Sequence, residues 1–431
     1  LKAVEALDHL ASHHDEKLSR FAKALSEIED PAPLYLGLLL HDIGKGRGKG
    51  HVARGVQIAE RVCRRLGLDR KTAEGAVFLV RHHLLMSHLS QRRDTTDEDL
   101  LEAFVTTVGS LDRLNMLLVL TYADMSAVGP GVWNDWKGGL LWELYTRARS
   151  HLTGGRPVRW DEDRKMSVMQ QAIEQLLPEY AESDIRRHFA MMPERYIRAT
   201  DPRRMASHFR LVGRMGDEAA AVDWQAAEDE QCVELTVCSR DSHGLFARLA
   251  GTLTACGINI LGAELYTRED GIVIDTFKVC EISGPHAVRP ERWPQVEASL
   301  KAATAAGYDV EAAVEGWREK RALRPKRRAA AVQSKPAVRF DSDASAASTI
   351  IEVKAEDEPG LAYRIASAIT ALGLNISLAR IATEKNQALD VFYVTDSLGL
   401  KLAPGDMPAV EAALLEALAR GKDAISIKEA I

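Results

Sequence analysis

The chain has 431 residues, a net charge of −6 and 46% hydrophobic residues. That length suits about two to four domains with ordinary packed cores, and the negative balance excludes nucleic-acid binding as the main role. Its longest apolar stretches, Leu34–Leu40 and Met116–Leu120, fall far short of the ~20 residues a bilayer span needs, so no membrane partner is expected.

Residues 1–150 read as an all-helical domain. Leu7, Leu10 and His14 recur at helical spacing, as do Ile58, Val62 and Leu66, and Leu111–Leu120 marks a strongly apolar helix. Pro31, Pro33, Gly44–Gly50 and Gly129–Gly131 punctuate it. Residues 151–230 continue as a helical connector, with helices over Met166–Leu177 and Ser183–Met191. The chain begins at Leu1 inside a helical pattern and is expected to be part of a longer protein. Its five cysteines form no C-x-x-C pair, which suits reduced thiols in a cytoplasmic protein.

From Cys232 the period changes to two. Val233, Leu235 and Val237 alternate with Glu234, Thr236 and Cys238, as in a half-buried strand. A helix from Leu245, strands at Ile258 and Val273–Val279, and a helix over Trp293–Ala306 follow. A final strand is expected near Tyr308–Val314, giving βαββαβ over residues 231–317. The basic run Arg318–Arg328 opens a flexible linker, 318–347. Residues 348–431 then repeat the pattern. Asp241, Gly244, Leu245, Arg248, Gly257 and Asn259 match Asp357, Gly360, Leu361, Arg364, Gly373 and Asn375 at a constant offset of 116 residues. That is an internal duplication. The expected whole is a multidomain α and α+β protein: helical domain, helical connector and two ferredoxin-like βαββαβ units.

The chemical signal lies in the first domain. The apolar run Leu34–Leu40 delivers His41 and Asp42 to a helix end, and a second apolar helix delivers Asp124. Buried charge of this kind is costly unless compensated, and a divalent metal compensates it through imidazole and carboxylate ligands. Between them lie His51, the pair His82-His83, and His88. Adjacent helical residues diverge by ~100°, so His82 and His83 need not both face one site.

The order H-D, H, H, D resembles the HD phosphohydrolase superfamily. Within it, His41–Gly48, Val80–Met86, Gln91–Asp94, Trp133–Lys137 and Met192–Tyr196 resemble the PII uridylyl enzymes, and the duplicated units resemble their tandem ACT domains. The resemblance implies metal-dependent removal of UMP from a tyrosine of uridylylated PII, a signalling protein of nitrogen status. It implies that His41, Asp42 and Asp124 hold one Mg2+ or Mn2+. His51 and His83, with or without His82, would hold a second ion or the phosphate. Lys45, Arg81 or Arg92 would neutralise charge on phosphorus. It further implies glutamine as effector at Gly244, Asn259, Gly360 and Asn375, where a helix N-terminus offers N–H groups to a carboxylate. The family's nucleotidyltransferase domain has no counterpart here, so no transfer of UMP from UTP is expected of this chain. The family's first-helix histidine ligand falls before Leu1; His9, His13 and His14 are either its substitutes or ordinary surface histidines. A guanosine-polyphosphate hydrolase and a catalytically inert ACT-type regulator remain as alternatives.

Overall fold

A computed structural model describes residues 2–12, 18–46, 50–129, 132–154, 171–226, 232–283, 287–305, 307–322, 335–384 and 387–426. His13, His14, the start of the helix expected at Met166 and residues 323–334 of the expected linker lie outside them. Two compact units divide the chain, residues 1–159 and residues 160–431.

The first unit is helical: α1 (Lys2–Ser12), α2 (Ser19–Ser26), α3 (Ala32–Leu40), α4 (His51–Arg65), α5 (Arg70–His82), α6 (Leu85–Arg92), α7 (Glu98–Val108), α8 (Leu111–Val128) and α9 (Asp135–Leu152). α8 is its axis. Ser110 caps it by accepting from Arg113 N–H, and residues 114–123 are all buried. A helix apolar all round belongs in a core, and α1, α2, α3 and α9 pack around this one. Trp133, from the motif Trp133–Lys137, makes edge contacts with Phe21 and Tyr122, while Asn134 caps α9. Among the described residues no single helix is long and apolar enough to cross a membrane.

The second unit holds the duplication. Its sheet runs β1-β2-β4-β3-β7-β9-β6-β5. The first repeat supplies β1 (Ala220–Ala226), β2 (Val233–Arg240), β3 (Ile258–Thr267) and β4 (Ile272–Glu281). The second supplies β5 (Ala337–Asp341), β6 (Thr349–Glu356), β7 (Asn375–Arg380) and β9 (Gln387–Thr395), with the short β8 (Thr383–Glu384) beside β9. Helices Leu245–Ala255, Trp293–Thr304, Leu361–Ala371 and Met407–Ser426 bury residues in one continuous core with the inward strand residues. Pro202–Met215 covers the other face through Met205, Ala206 and Phe209, against Cys238, Tyr266 and Ile274. The repeats join where β3 pairs with β7 antiparallel, Ala263 opposite Ala379.

Two expectations need correction. The strand expected near Tyr308–Val314 is instead helix Val310–Ala322, with Asp309 accepting from the Ala312 N–H at 2.9 Å. The fourth strand of each repeat comes first in sequence, not last, so the order is ββαββα. β1 lies in the segment assigned to the helical connector, and β5 in the segment assigned to the linker. Each pairs with the outer edge of its repeat, Val222 opposite Val237 and Val338 opposite Val353. A C-terminal strand would have had no free edge to join there.

Candidate metal centre and effector loops

Helix ends assemble the metal-ligand candidates. α3 ends at Leu40 with His41 as its C-cap, and α5 ends at His82 with His83 as its C-cap. Close packing brings the two ends together: a Cβ on Gly37 would lie 2.7 Å from the Leu79 Cβ, so only glycine lets α3 approach α5 so nearly. The His41 and His83 rings are then 5.4 Å apart. The turn after Asp42 passes equally close to the first turn of α4. A Cβ on Gly44 would fall 2.0 Å from the His51 carbonyl oxygen, which explains the glycine in His41–Gly44 and seats His51 beside the pair. Asp124 reaches in from the last turns of α8.

Two overlapping triads result, Asp42–His51–His83 and His41–Asp42–Asp124, each with ligand atoms within 4.8 Å of one another. His41 and His83 are oriented alike. Each Nδ1 lies on the carbonyl three residues back, Leu38 at 2.7 Å and Val80 at 2.8 Å, which leaves Nε2 directed into the cluster. Burial works to lower the His41 pKa, but Asp124 at 3.2 Å, the Leu38 carbonyl and Asp42 outweigh it and raise it. Burial works to raise the Asp124 pKa, and His41 outweighs it and holds the carboxyl low. Burial lowers the His83 pKa and so favours the neutral ring. Asp42 Oδ1, His51 Nε2 and His83 Nε2 are buried with no hydrogen-bond partner. Three convergent polar atoms left without hydrogen bonds are expensive, and a divalent cation satisfies all of them. The residues fit a metal.

The other candidates scatter. His82 turns away from the cluster, its ring 4.8 Å from Phe78, and with Arg81 it lines a separate groove between α4 and α5. Neither belongs to the metal cluster, because the helical turn that aims His83 inward rotates its neighbours outward. Lys45 stays near, with Nζ 2.5 Å from Asp42 Oδ2 and the side chain 59% exposed. Arg92 ends α6, half-buried. His9 is exposed on α1.

In the second unit Gly244 and Gly360 are left-handed N-caps, with φ of 71° and 83°. Each faces the other repeat. A Cβ on Gly244 would lie 3.0 Å from Thr370 Cγ2, and one on Gly360 would lie 3.2 Å from Thr254 Cγ2 and 3.6 Å from Arg318. Sequence reasoning missed these threonines, although they too differ by the offset of 116. Arg318, assigned to the linker, belongs to helix Val310–Ala322. Because β3 and β7 run antiparallel, Asn375 lies at the end of the sheet that carries the Gly244 loop, and Asn259 at the end that carries the Gly360 loop. Asn375 Nδ2 donates to the Asp396 carbonyl at 3.2 Å.

The HD domain family matches residues 9–113, and the ACT domain family matches residues 349–412. This chain carries an HD domain and an ACT domain. It is similar to proteins named bifunctional uridylyltransferase/uridylyl-removing enzyme. One from Azospirillum brasilense is 36% identical over 94% of this chain, one from Phenylobacterium zucineum 36% over 92%, and one from Rhodospirillum rubrum 32% over 90%. The chain spans 41–43% of the length of these three relatives. The HD match includes His41, Asp42, His51 and His83; Asp124 follows it on α8.

Proposed function

We propose that this chain is a cytoplasmic phosphodiesterase that removes UMP from a tyrosine of uridylylated PII, and that glutamine binding to its ACT repeats stimulates the reaction. The observation that carries the hydrolytic reading is the convergence of Asp42 Oδ1, His51 Nε2 and His83 Nε2, all buried and none with a hydrogen-bond partner. The relatives' printed name supplies the uridylyl group.

His41, Asp42, His51, His83 and Asp124 would hold one or two divalent ions, Mg2+ or Mn2+. Such an ion supplies Lewis acidity toward a phosphoryl oxygen and toward water. Water adds to phosphorus, the bond from phosphorus to the tyrosyl oxygen breaks, and the phenol takes up a proton. Asp42 and Asp124 anchor positive charge. Lys45, held beside the cluster by Asp42, would oppose the charge that develops on an incoming phosphate.

For the effector, the carboxylate would meet N–H groups at the start of the helix after Gly244 or Gly360. The pairing across the repeats supports a side-chain amide partner from the opposite repeat, Asn375 for the Gly244 loop and Asn259 for the Gly360 loop.

The test is hydrolysis of uridylylated PII by the purified chain with Mn2+ or Mg2+, alongside metal analysis. Asp42→Ala should lose bound metal and at least ~100-fold in rate with its far-ultraviolet circular dichroism unchanged. His82→Ala should stay near wild type. Full activity in Asp42→Ala would refute the site. Hydrolysis of guanosine polyphosphates with no action on uridylylated PII would replace the substrate.

A further inference from the structure

A cleft in the first repeat is lined by neither the metal-cluster residues nor the residues at the glycine loops. It encloses about 640 Å³ between the C-terminal end of helix Leu245–Ala255, helix Trp293–Thr304 and helix Val310–Ala322. That volume falls within the range of small-molecule sites.

Its charge is lopsided. Arg289, Arg292 and Lys320 line it against one acid, Glu281. Arg292 is already committed, with Nη1 2.5 Å from Glu281 Oε2 and Nη2 on the Cys256 carbonyl. Arg289 and Lys320 are exposed and have no ion pair among the described residues. Two groups in the wall are unsatisfied. Thr252 is fully buried with its hydroxyl unpartnered, and Glu281 Oε1 is buried without a donor. A native wall rarely leaves such atoms unpaired unless something else supplies the partner. Trp317 and Tyr308 add aromatic surface. Gly257 turns the chain at φ of 71° beside the indole, with the position of a Cβ there 3.4 Å from Trp317 Nε1.

These features specify a ligand with three parts. It bears a strong anion for Arg289 and Lys320, a flat ring for Trp317 and Tyr308, and an N–H that Glu281 Oε1 can accept. We propose that this cleft is a nucleotide site, with phosphate on the two free cations and the base edge on Glu281 and Thr252. Occupancy has a route to the other repeat. Trp317 faces the cleft while its neighbour Arg318 reaches toward Gly360, so one helix touches both places.

The test uses the whole chain with Asp42→Ala, in chelator, so that the metal cluster cannot hold phosphate. UTP, ATP and inorganic phosphate are the probes, measured by equilibrium dialysis and tryptophan quenching. The expected result is saturable nucleotide binding that equimolar phosphate does not displace. Arg289→Glu with Lys320→Glu should weaken it at least ~10-fold, and Trp317→Phe should remove most of the quench. Glutamine binding in the charge-reversed variant should be unchanged. No nucleotide bound at millimolar concentration, binding indifferent to charge reversal, or full displacement by phosphate would each overturn the nucleotide assignment.

Discussion

Asp390 is a carboxylic acid inside a hydrophobic core. It is 1% exposed, and neither oxygen has a hydrogen-bond partner in good geometry. Burial, with the Asp357 charge nearby, raises its pKa well above the ordinary value; Asp275 in the first repeat is raised by burial and Asp241 in the same way. The sign of the linkage follows. An acid whose folded pKa is raised binds its proton more tightly in the native state, so stability falls as pH climbs above the unfolded pKa of about 3.9. Asp390→Asn keeps the shape and removes the titration. It should stabilise the chain by ~1–2 kcal/mol at pH 7, seen as a higher melting temperature, and the gain should shrink toward pH 4. A variant less stable than wild type at pH 7 would show that the carboxylate is wanted ionised. His82 and His83 teach a related lesson at this scale. Both are candidates from their spacing, and only the rotation of α5 at its last turn decides that His83 enters the metal cluster and His82 packs tilted against Phe78.

At the level of elements, what was legible in the sequence is what local periodicity encodes. The alternation from Val233 to Cys238, the apolar run of α8 and the offset of 116 between repeats all report residues facing a core. The His41-Asp42 pair was legible because an apolar helix ending in charge has few explanations. The edge strands were not legible. Ala220–Ala226 has little alternation of its own, and it is a strand because β2 offers it an edge and because Trp224 stacks on Trp293, centroids 5.0 Å apart and planes 13° from parallel. Likewise the strand expected near Tyr308–Val314 gives way to helix Val310–Ala322, which Asp309 opens by accepting from the Ala312 N–H. A consequence is measurable. Residues 231–431 expressed alone lack β1, bare the β2 edge and strip Trp293 of its partner, whereas residues 171–431 keep them. The shorter piece should aggregate or melt at least several degrees lower. Equal melting and a monomeric state for both would mean that β1 contributes nothing to the repeat. Trp224→Ala in the whole chain isolates the stacking part, expected to cost ~1–3 kcal/mol.

At the scale of the whole molecule, the glutamine response proposed above would need the repeats as a pair. Each glycine loop is completed by the other repeat: Thr370 stands against Gly244 and Thr254 against Gly360. Among the described residues the only strand pairing between them is β3 with β7, three residues on each side, centred on Ala263 opposite Ala379. Ala263 is 3% exposed and Ala379 fully buried, both packed into the shared core. A ligand shifts an equilibrium only through unequal affinity for two states, and on the proposed function those states would differ in whether this short ladder holds the repeats in register. Ala379→Glu inserts an unpaired carboxylate into the dry centre of that ladder, at a cost of several kcal/mol if the junction stays closed. The junction should therefore part before the repeats unfold, since each keeps its own strands and helices. The expected phenotype is selective. Glutamine binding should weaken at least ~10-fold, stimulation of hydrolysis should disappear, and the unstimulated rate should stay near wild type, because the metal ligands belong to the first unit. Calorimetry with glutamine and hydrolysis with and without it read these outcomes separately. Undiminished glutamine binding in Ala379→Glu would show that a single repeat suffices as receptor, and that the pairing across the junction is structural.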